Sequence, residues 1–531
     1  MARLANTLRP PLARATAAVR PRIARLTDAV RTAAPRPART PNARTLRYTA
    51  GAATAGLALA AAAVALAGPW DATGQRTAER DRAVALELPG GADHGGAAVA
   101  AGGAKPAPSA PPVLTGLGGA VPAAQTGKDP GKAPGTGAGK DPAKGGKPLA
   151  EVLEPLLDAP ALSAGHAAAV VDMSTGKRLY GADGDKALTP ASTTKIATAV
   201  AALSALGPDH RLTTRTALEP DTRELVLVGG GDPTLTAHKS PGQWASLRTL
   251  ARDTAVALEK RGIRKITLSY DTTLFSGPAL HPIGVNDNLA PVTALTADEG
   301  RTDGSDHGPV TRVADPSAEA ARAFAGFLKD AGITATPPGP SKATGRAQTL
   351  ASVSSPPLSD LVERMLTNSD NDIAEALARQ TALASGRPGS FAGGAQAIAA
   401  RLTKLGLPMK GAAFHDGSGL NRDDRLTADL LTSLLAKAAD PARPGLRPVL
   451  TGLPVGGFTG TLAERYTDGA AGVVRAKTGT LTGVNTLAGT VVDADGRLLS
   501  FAFLASDTTD PEAAQSALDR TASALSACGC G

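Results

Sequence analysis

Ser192 and Lys195 are the two side chains whose types and spacing first indicate chemistry. They lie three residues apart at the start of an apolar run with helical spacing. A separation of three places both side chains on one face of a helix, one turn apart. A hydroxyl is a poor nucleophile unless a base takes its proton, and a buried lysine beside other cations can be neutral enough to do so. The pair therefore predicts a nucleophile, Ser192, and its base, Lys195.

The Ser-x-x-Lys pattern is weak alone, because serines also cap helices and first-turn lysines are commonly solvated. It occurs again in this chain, where Ser174 and Lys177 lie between two apolar runs. The glycine and small polar residues at 174–177 predict a hairpin turn, in which the serine and lysine share no helix face. We therefore predict no chemistry for this second copy.

Two further motifs change the interpretation of Ser192. Ser369-Asp370-Asn371 is the only Ser-x-Asn in the chain, and Lys477-Thr478-Gly479 is the only Lys-Thr-Gly. Each motif alone is compatible with an ordinary turn or strand. The order Ser-x-x-Lys, Ser-x-Asn, Lys-Thr-Gly is the set found in penicillin-binding proteins and serine β-lactamases. Together the three motifs predict acyl transfer to a serine.

Acyl transfer needs a nucleophile, a base, an oxyanion site and an anchor for the substrate carboxylate. Ser369 can pass a proton to the leaving amine, and Asn371 can hold the substrate amide. Lys477 adds a positive charge that favours the neutral form of Lys195 and attracts a carboxylate.

The residues around Lys477 supply the remaining parts of this predicted site. The hydroxyls of Thr478 and Thr480 can bond a substrate carboxylate, and Gly479 lets the strand lie close to the substrate. The backbone N–H groups of Ser192 and Thr480 would form the oxyanion hole.

Residues 149 to 527 resemble the D-alanyl-D-alanine carboxypeptidase/endopeptidase family, peptidase family S13, the class C low-molecular-mass penicillin-binding proteins. Besides the three motifs, the similar stretches are LVGGGDP at 227–233, PVTALT at 291–296, DGSGL at 416–420 and TGTL at 459–462. Ser192 and Ser369 are 177 positions apart, more than a simple β-lactamase helical domain needs. The family carries extra domains inserted at this place.

The resemblance implies an α+β fold of the serine β-lactamase and penicillin-binding-protein transpeptidase type. In it an antiparallel sheet is flanked by helices and joined to a helical subdomain. We expect a catalytic domain split between 149–215 and 345–527, with an inserted accessory region at 216–344. Alternation of strands and helices predicts an α/β insertion.

The resemblance also implies a substrate. Such enzymes remove the terminal D-Ala from peptidoglycan stem peptides, or cleave D-Ala cross-links, through an acyl intermediate that would form here on Ser192. β-Lactam antibiotics mimic the substrate and acylate the same serine. No cofactor and no metal are expected, and the seven His residues include no H-E-x-x-H pattern of a zinc peptidase.

Two alternatives stay open at this point. One is a serine β-lactamase, although class A enzymes deacylate with a glutamate between the second and third motifs. No Glu occurs from Ala376 to Ala463, which argues against that turnover but leaves a class C-like β-lactamase open. The other alternative is a non-catalytic sensor that binds penicillin or peptidoglycan, against which the complete set of polar residues argues.

The N-terminal residues predict an extracytoplasmic protein. Residues 1–47 hold eleven Arg and one acidic residue, and they are expected to form a disordered cytoplasmic arm. The uncharged segment 48–68 is long enough for a transmembrane anchor. The alternative is a signal segment, which would leave the protein secreted if cleaved. Residues 69–148 form a Gly, Ala, Pro and Lys linker that can reach the cell wall.

The charge and the cysteines exclude some partners. The formal net charge of the chain is +8, and the arm alone contributes +10. The residues after the arm therefore carry a net charge of −2, which does not indicate a nucleic-acid-binding surface. The only cysteines are Cys528 and Cys530, as expected in an oxidising compartment without a disulfide framework. Whether they pair with each other or with another thiol stays open.

The elements that must position the motifs can also be predicted. We predict helices at 149–157, 244–260, 318–329, 358–366, 373–381 and 512–525, besides the helix that begins at Ser192. We predict strands at 166–172, 178–180, 224–228, 265–270, 473–480, 486–492 and 498–504.

Overall fold

A computed structural model of the chain describes residues 148–467 and 469–529. The predicted arm at 1–47, the anchor or signal segment at 48–68 and nearly all of the linker at 69–148 lie outside these residues. Within the described ranges, no helix combines the length and apolar character needed to cross a bilayer.

The secondary structure of the described residues has the following bounds. The helices are α1 (Leu149–Leu157), α2 (Thr194–Leu206), α3 (Leu247–Glu259), α4 (Pro316–Asp330), α5 (Leu358–Asn368), α6 (Asn371–Ala384), α7 (Phe391–Lys404), α8 (Ala428–Ala439), α9 (Pro448–Thr451) and α10 (Pro511–Ala527). The strands are β1 (Gly165–Asp172), β2 (Arg178–Ala182), β3 (Thr213–Leu218), β4 (Glu224–Val228), β5 (Lys265–Asp271), β6 (Thr334–Ala335), β7 (Gly339–Pro340), β8 (Gln348–Ser354), β9 (Val474–Leu481), β10 (Val484–Val492) and β11 (Leu498–Ser506).

A five-stranded antiparallel sheet forms the base of the catalytic part, with the strand order β2-β1-β11-β10-β9. Its central strand β11 is buried almost throughout, because both faces of the sheet are covered. Helices α1 and α10 pack on one face, where Phe501 and Phe503 stack against each other in the core. Helices α2 and α8 cover the other face. Strand β9 is left at the edge, where a substrate can approach its backbone.

The helical subdomain lies around α2. Ten residues of α2, from Thr194 to Leu203, are buried, because α5, α6, α7 and α8 all contribute to the same apolar core. Helix α6 is equally enclosed, with eleven buried residues that include Asp372, Glu375 and Arg379. A helix with buried charges on one face needs polar partners there. The inserted part supplies partners for Asp372 and Arg379, whereas Glu375 accepts from backbone N–H groups at 417 and 418.

The inserted part forms a second, mixed sheet with the order β6-β5-β4-β3-β8. Strand β4 runs parallel to β5, to which α3 connects it, and β3 pairs antiparallel with β4 and β8. Helices α3 and α4 close its core around Phe324 and Leu250. This sheet extends from Thr213 to Ser354, three residues before and ten residues after the expected region at 216–344. The split into domains stays a prediction.

Most predicted elements are present with small shifts at their ends. Strand β4 has the predicted bounds, and β9 is displaced by one residue. The predicted helix at 244–260 begins only at Leu247, because Ser246 caps it by accepting a hydrogen bond from the Thr249 backbone N–H. The motif serine is also displaced. Ser192 lies in a 3-10 turn, Ala191–Thr193, and α2 starts at Thr194.

Candidate active site

The turn that carries Ser192 is held by close backbone packing. Ala191 has a φ of 47°, an uncommon value for an alanine. Gly419 allows this conformation, because a Cβ atom there would lie 1.9 Å from the Ala191 carbonyl oxygen. The Thr486 hydroxyl donates to the Pro190 carbonyl at 2.8 Å and attaches the turn to β10. The nucleophile candidate therefore stands on a turn fixed from two sides.

Lys195 lies on the first turn of α2, and its side chain is fully buried. Its ammonium nitrogen, Nζ, lies 3.0 Å from Ser192 Oγ, 2.6 Å from Asn371 Oδ1 and 2.8 Å from the Ser418 carbonyl oxygen. Burial lowers the pKa of Lys195 from 10.5 to about 8, although nearby carboxylates such as Asp416 act in the opposite direction. The predicted base is thus in contact with the predicted nucleophile.

A second serine–lysine pair lies beside the first. Ser369 is in the left-handed region, with φ of 58°, and forms the break between α5 and α6. Its hydroxyl oxygen lies 2.9 Å from Lys477 Nζ, which also donates to the Thr478 carbonyl at 2.8 Å. Burial and the positive charge of Lys195 hold the pKa of Lys477 well below its ordinary value. The charge of Lys195 therefore favours the neutral form of Lys477.

Strand β9 forms the opposite wall of the site. A Cβ atom at Gly479 would lie 2.2 Å from Thr486 Oγ1 and 3.1 Å from the Ser192 backbone nitrogen, so only glycine allows this approach. Thr478 donates from its hydroxyl to Thr461 Oγ1 at 3.0 Å, and Thr480 is exposed.

These walls enclose a cleft of about 270 Å³. It is lined by Ser192, Asn288, Arg301, His307, Gly308, Pro309, Arg312, Asn368, Ser369, Asp370, Asn371, Asp372, Leu420, Thr461, Thr478, Thr480 and Leu481. The structure thus brings the three motifs together around one hydroxyl. Their individual roles stay predictions.

The Asn371 side chain has one contact that the sequence does not suggest. Its Oδ1 atom accepts from Lys195, while its Nδ2 atom donates to the Asn288 backbone carbonyl at 3.0 Å. Asn288 belongs to the inserted part of the chain. The orientation of the amide is therefore set by a residue outside the motifs, and one Nδ2 hydrogen is left for a substrate carbonyl.

The structure has a buried acidic cluster near Lys195 that the three motifs do not predict. Glu375 accepts from the backbone N–H groups of Gly417 and Ser418 at 3.0 and 2.8 Å, and burial raises its pKa to about 7. Asp416 accepts from His281 Nε2 at 3.0 Å, and both side chains are almost fully enclosed. The only signal in the sequence was the DGSGL stretch at 416–420, whose partners 281 and 375 lie far away along the chain.

The cluster of His281, Glu375 and Asp416 also has the ligand types of a metal site. The four carboxylate oxygens already accept hydrogen bonds from backbone N–H groups, of which Gly419 N at 2.7 Å is one. Oxygens that face several N–H donors are poorly arranged for a cation. We interpret the cluster as a support for the 416–421 turn, whose Ser418 carbonyl holds Lys195.

The second Ser-x-x-Lys copy has no such surroundings. Ser174 donates from its hydroxyl to Asp172 Oδ1 at 2.6 Å within the turn between β1 and β2, and Lys177 is exposed. The predicted hairpin turn is confirmed.

Comparisons with known proteins agree with this geometry. The profile of the D-Ala-D-Ala carboxypeptidase 3 (S13) family matches residues 149–308 and 302–525. The carboxypeptidase DacB of Mycolicibacterium smegmatis is 38% identical over 381 residues, which cover 68% of this chain and 80% of that protein. The D-alanyl-D-alanine carboxypeptidase of an Actinomadura species is 30% identical over 429 residues, covering 66% of this chain and 79% of the relative.

A solved structure shows the same fold. Penicillin binding protein 4 from Haemophilus influenzae superposes with a TM-score of 0.57 at 23% identity, over 69% of this chain and 98% of the other. The same protein has been solved in complex with a β-lactam, with a TM-score of 0.56. The expected α+β fold, of the serine β-lactamase and penicillin-binding-protein type, is confirmed.

Proposed function

The chain belongs to the D-Ala-D-Ala carboxypeptidase 3 (S13) family, and we infer that it is a serine D-Ala-D-Ala carboxypeptidase acting on peptidoglycan stem peptides. The observation that carries this inference is the contact of 3.0 Å between Lys195 Nζ and Ser192 Oγ in a buried site. A nucleophile touching a largely desolvated base is the arrangement that acyl transfer needs.

The acylation step follows from this contact. Neutral Lys195 takes the proton of the Ser192 hydroxyl while Oγ attacks the carbonyl carbon of the D-Ala-D-Ala peptide bond. A C–O bond forms, and the carbonyl oxygen becomes an oxyanion for which the backbone N–H groups of Ser192 and Thr480 are the proposed donors. The C–N bond then breaks and leaves an acyl-Ser192 ester.

The leaving D-Ala amine must depart with a proton. We propose the Ser369 hydroxyl as its carrier, because that oxygen lies 2.9 Å from Lys477 Nζ and on the same cleft. Lys477, Thr478 and Thr480 are the proposed anchors for the terminal carboxylate of the substrate. Water then attacks the ester, which releases the shortened peptide and restores the serine.

The same site accounts for sensitivity to β-lactams, whose strained amide is attacked by Ser192 in the same way. Rapid release of the opened drug would require a base for water. Glu375, the acidic residue just before the stretch 376–463 without Glu, is buried and bound to two backbone N–H groups. This supports a penicillin-binding protein over a β-lactamase of class A. Labelled penicillin should stay bound for many minutes, whereas rapid hydrolysis would favour a β-lactamase.

Endopeptidase action on D-Ala cross-links is the finer part of the proposal. It uses the same chemistry with a bulkier leaving group. We further propose that the body acts at the extracytoplasmic face of the membrane, held there by residues 48–68 as an anchor. The uncharged segment and the eleven arginines before it support this placement. Immunoblot mass of the membrane fraction tests this, and a product that lacks the first 67 residues would rule the anchor out in favour of a cleaved signal segment.

Muropeptides test the proposed activity directly. Incubation of the full chain with pentapeptide muropeptides should release one D-Ala per stem, detected by mass spectrometry. Ser192→Ala should release none, while Ser174→Ala, at the second Ser-x-x-Lys copy, should match the wild type. Equal release by wild type and Ser192→Ala would contradict the proposed mechanism.

A further inference from the structure

The inserted part of the chain reaches the catalytic residues through one segment, residues 276–312. This segment contacts both ends of α6, where it binds buried polar side chains. The Arg379 guanidinium donates to the carbonyls of Ser276 and Pro278, at 3.2 and 2.9 Å. At the other end of the helix, Asn371 and Asp372 contact residues near 290. The helix that begins at Asn371 of the Ser-x-Asn motif is therefore held by the insertion near both of its ends.

The contacts at the start of α6 are the closest to the chemistry. Asp372 Oδ1 accepts from the Ala290 backbone N–H at 3.0 Å, and its Oδ2 atom lies 2.9 Å from Arg312 Nη1. The neighbouring Asn371 donates to the Asn288 carbonyl and accepts from Lys195. Two adjacent residues thus join the insertion on one side to the base on the other.

Arg312 is rigidly placed for this role. Its side chain is only 4% exposed. Besides the ion pair with Asp372, it donates to the backbone carbonyls of Glu299 at 2.7 Å and Val310 at 3.2 Å. An arginine held by two carbonyls and one carboxylate has a single accessible conformation, and its planar group fixes the partner's position as well.

The surrounding acidic and arginine side chains contact one another, and burial holds the pKa of Glu299 well above its ordinary value. Glu299 accepts from Arg301 at 2.9 Å and from Arg364 at 3.2 Å, and Arg364 Nε lies 3.7 Å from Asp370. Three arginines, including Arg312, therefore face three buried carboxylates, including Asp372. Loss of one arginine leaves a buried carboxylate without its partner. That carboxylate then shifts toward another donor or becomes protonated.

We propose that Arg312 is a positioning residue for acylation. Through Asp372 it fixes the first turn of α6, and with it the Asn371 amide that contacts Lys195 Nζ. The inference depends on the proposed function of the Ser192 site, and it assigns to the insertion a part in catalysis. It requires no contact between Arg312 and the reacting atoms.

The expected effect is on the rate of the chemical step. Lys195 Nζ is 2.6 Å from Asn371 Oδ1 and 3.0 Å from Ser192 Oγ, so displacement of the amide alters the alignment of base and nucleophile. A misplacement of about 1 Å in an active site can slow a reaction about 100-fold. Binding of the substrate carboxylate at β9 is not affected, because β9 lies on the other side of the cleft.

A fluorescent penicillin measures this step in the full chain. We expect Arg312→Met and Asp372→Asn each to lower the limiting acylation rate per titratable site by about 10- to 100-fold. The half-saturating concentration should change by less than about threefold. The double variant should be no slower than the slower single variant, because both changes break one interaction. Arg312→Lys should recover part of the rate.

Arg497→Met is the matched control, because it also removes an ion pair. Arg497 Nε lies 2.8 Å from Asp493 Oδ2, in the turn after β10 and remote from the motifs. It should leave the rate per site unchanged. A wild-type rate per site in Arg312→Met, with only fewer labelled molecules, would overturn the inference. So would losses that multiply in the double variant. If the wild type itself is not labelled, the proposed function fails, and this inference fails with it.

Discussion

At the scale of single residues, two buried lysines define the site. Lys195 contacts Ser192 and Lys477 contacts Ser369, and both lysines are fully enclosed. Enclosure removes the solvation that an ammonium group needs, and this burial is the main cause that lowers the pKa of both lysines. Without a histidine, the site thereby obtains a base, Lys195, whose pKa is lowered to about 8.

The pKa of Lys195 predicts the pH dependence of acylation. With a pKa of about 8, only about a tenth of the lysine is neutral at pH 7. The acylation rate by penicillin should therefore rise about tenfold from pH 6 to pH 7, continue to rise, and level off above pH 8. Stopped-flow labelling across this range checks the prediction. A flat profile from pH 6 to pH 9 would show that Lys195 does not take the proton.

At the scale of elements, the edge strand β9 and the Ser192 turn must lie close together. Gly479→Ala should lower the acylation rate per site at least about tenfold, because its methyl group meets Thr486 Oγ1 and the Pro190 carbonyl oxygen. Gly326→Ala, in α4, is the control, since nothing lies within 4 Å of its added Cβ atom. Penicillin labelling of both variants provides the measurement. An unaffected Gly479→Ala would mean that the strand can shift at no cost to catalysis.

The elements themselves could largely be predicted from the sequence. The strands near residues 477 and 227 and the break at Ser369 follow from local patterns of apolar and turn residues. The displacement of Ser192 out of the helix could not be predicted. Its cause is an alanine at φ of 47°, held by Gly419 from a distant part of the chain. The residues around Ser192 contain no pattern that predicts the close contact between Gly419 and the Ala191 carbonyl.

At the scale of the whole molecule, the insertion is attached to the catalytic part by α6. The sequence predicted that an insertion exists, because the spacing from Ser192 to Ser369 is long. It did not predict His281 beside Asp416 or Asn288 beside Asn371, which are 135 and 83 positions apart. A single chain contains no pattern that reports such pairings, whereas motif residues are recognisable by their order.

Arg379 tests this attachment. Its guanidinium donates to three backbone carbonyls, including Gly389 at 3.2 Å, and lies over the ring of Phe391. Arg379→Met should lower the free energy of unfolding by about 3 kcal/mol, because buried carbonyls lose their donors. Arg379→Lys should lose less. Urea unfolding of the full chain provides the measurement. A decrease in the free energy of unfolding below about 1 kcal/mol would contradict this account of the contact between the insertion and α6.

The central claim is that three distant motifs form one acylating site at Ser192. The most direct measurement is mass spectrometry of the full chain after treatment with benzylpenicillin, followed by peptide mapping. We predict a single penicilloyl adduct, on the peptide that contains Ser192, and none in Lys195→Met. An adduct on another serine, or an unmodified chain after prolonged treatment, would contradict the claim.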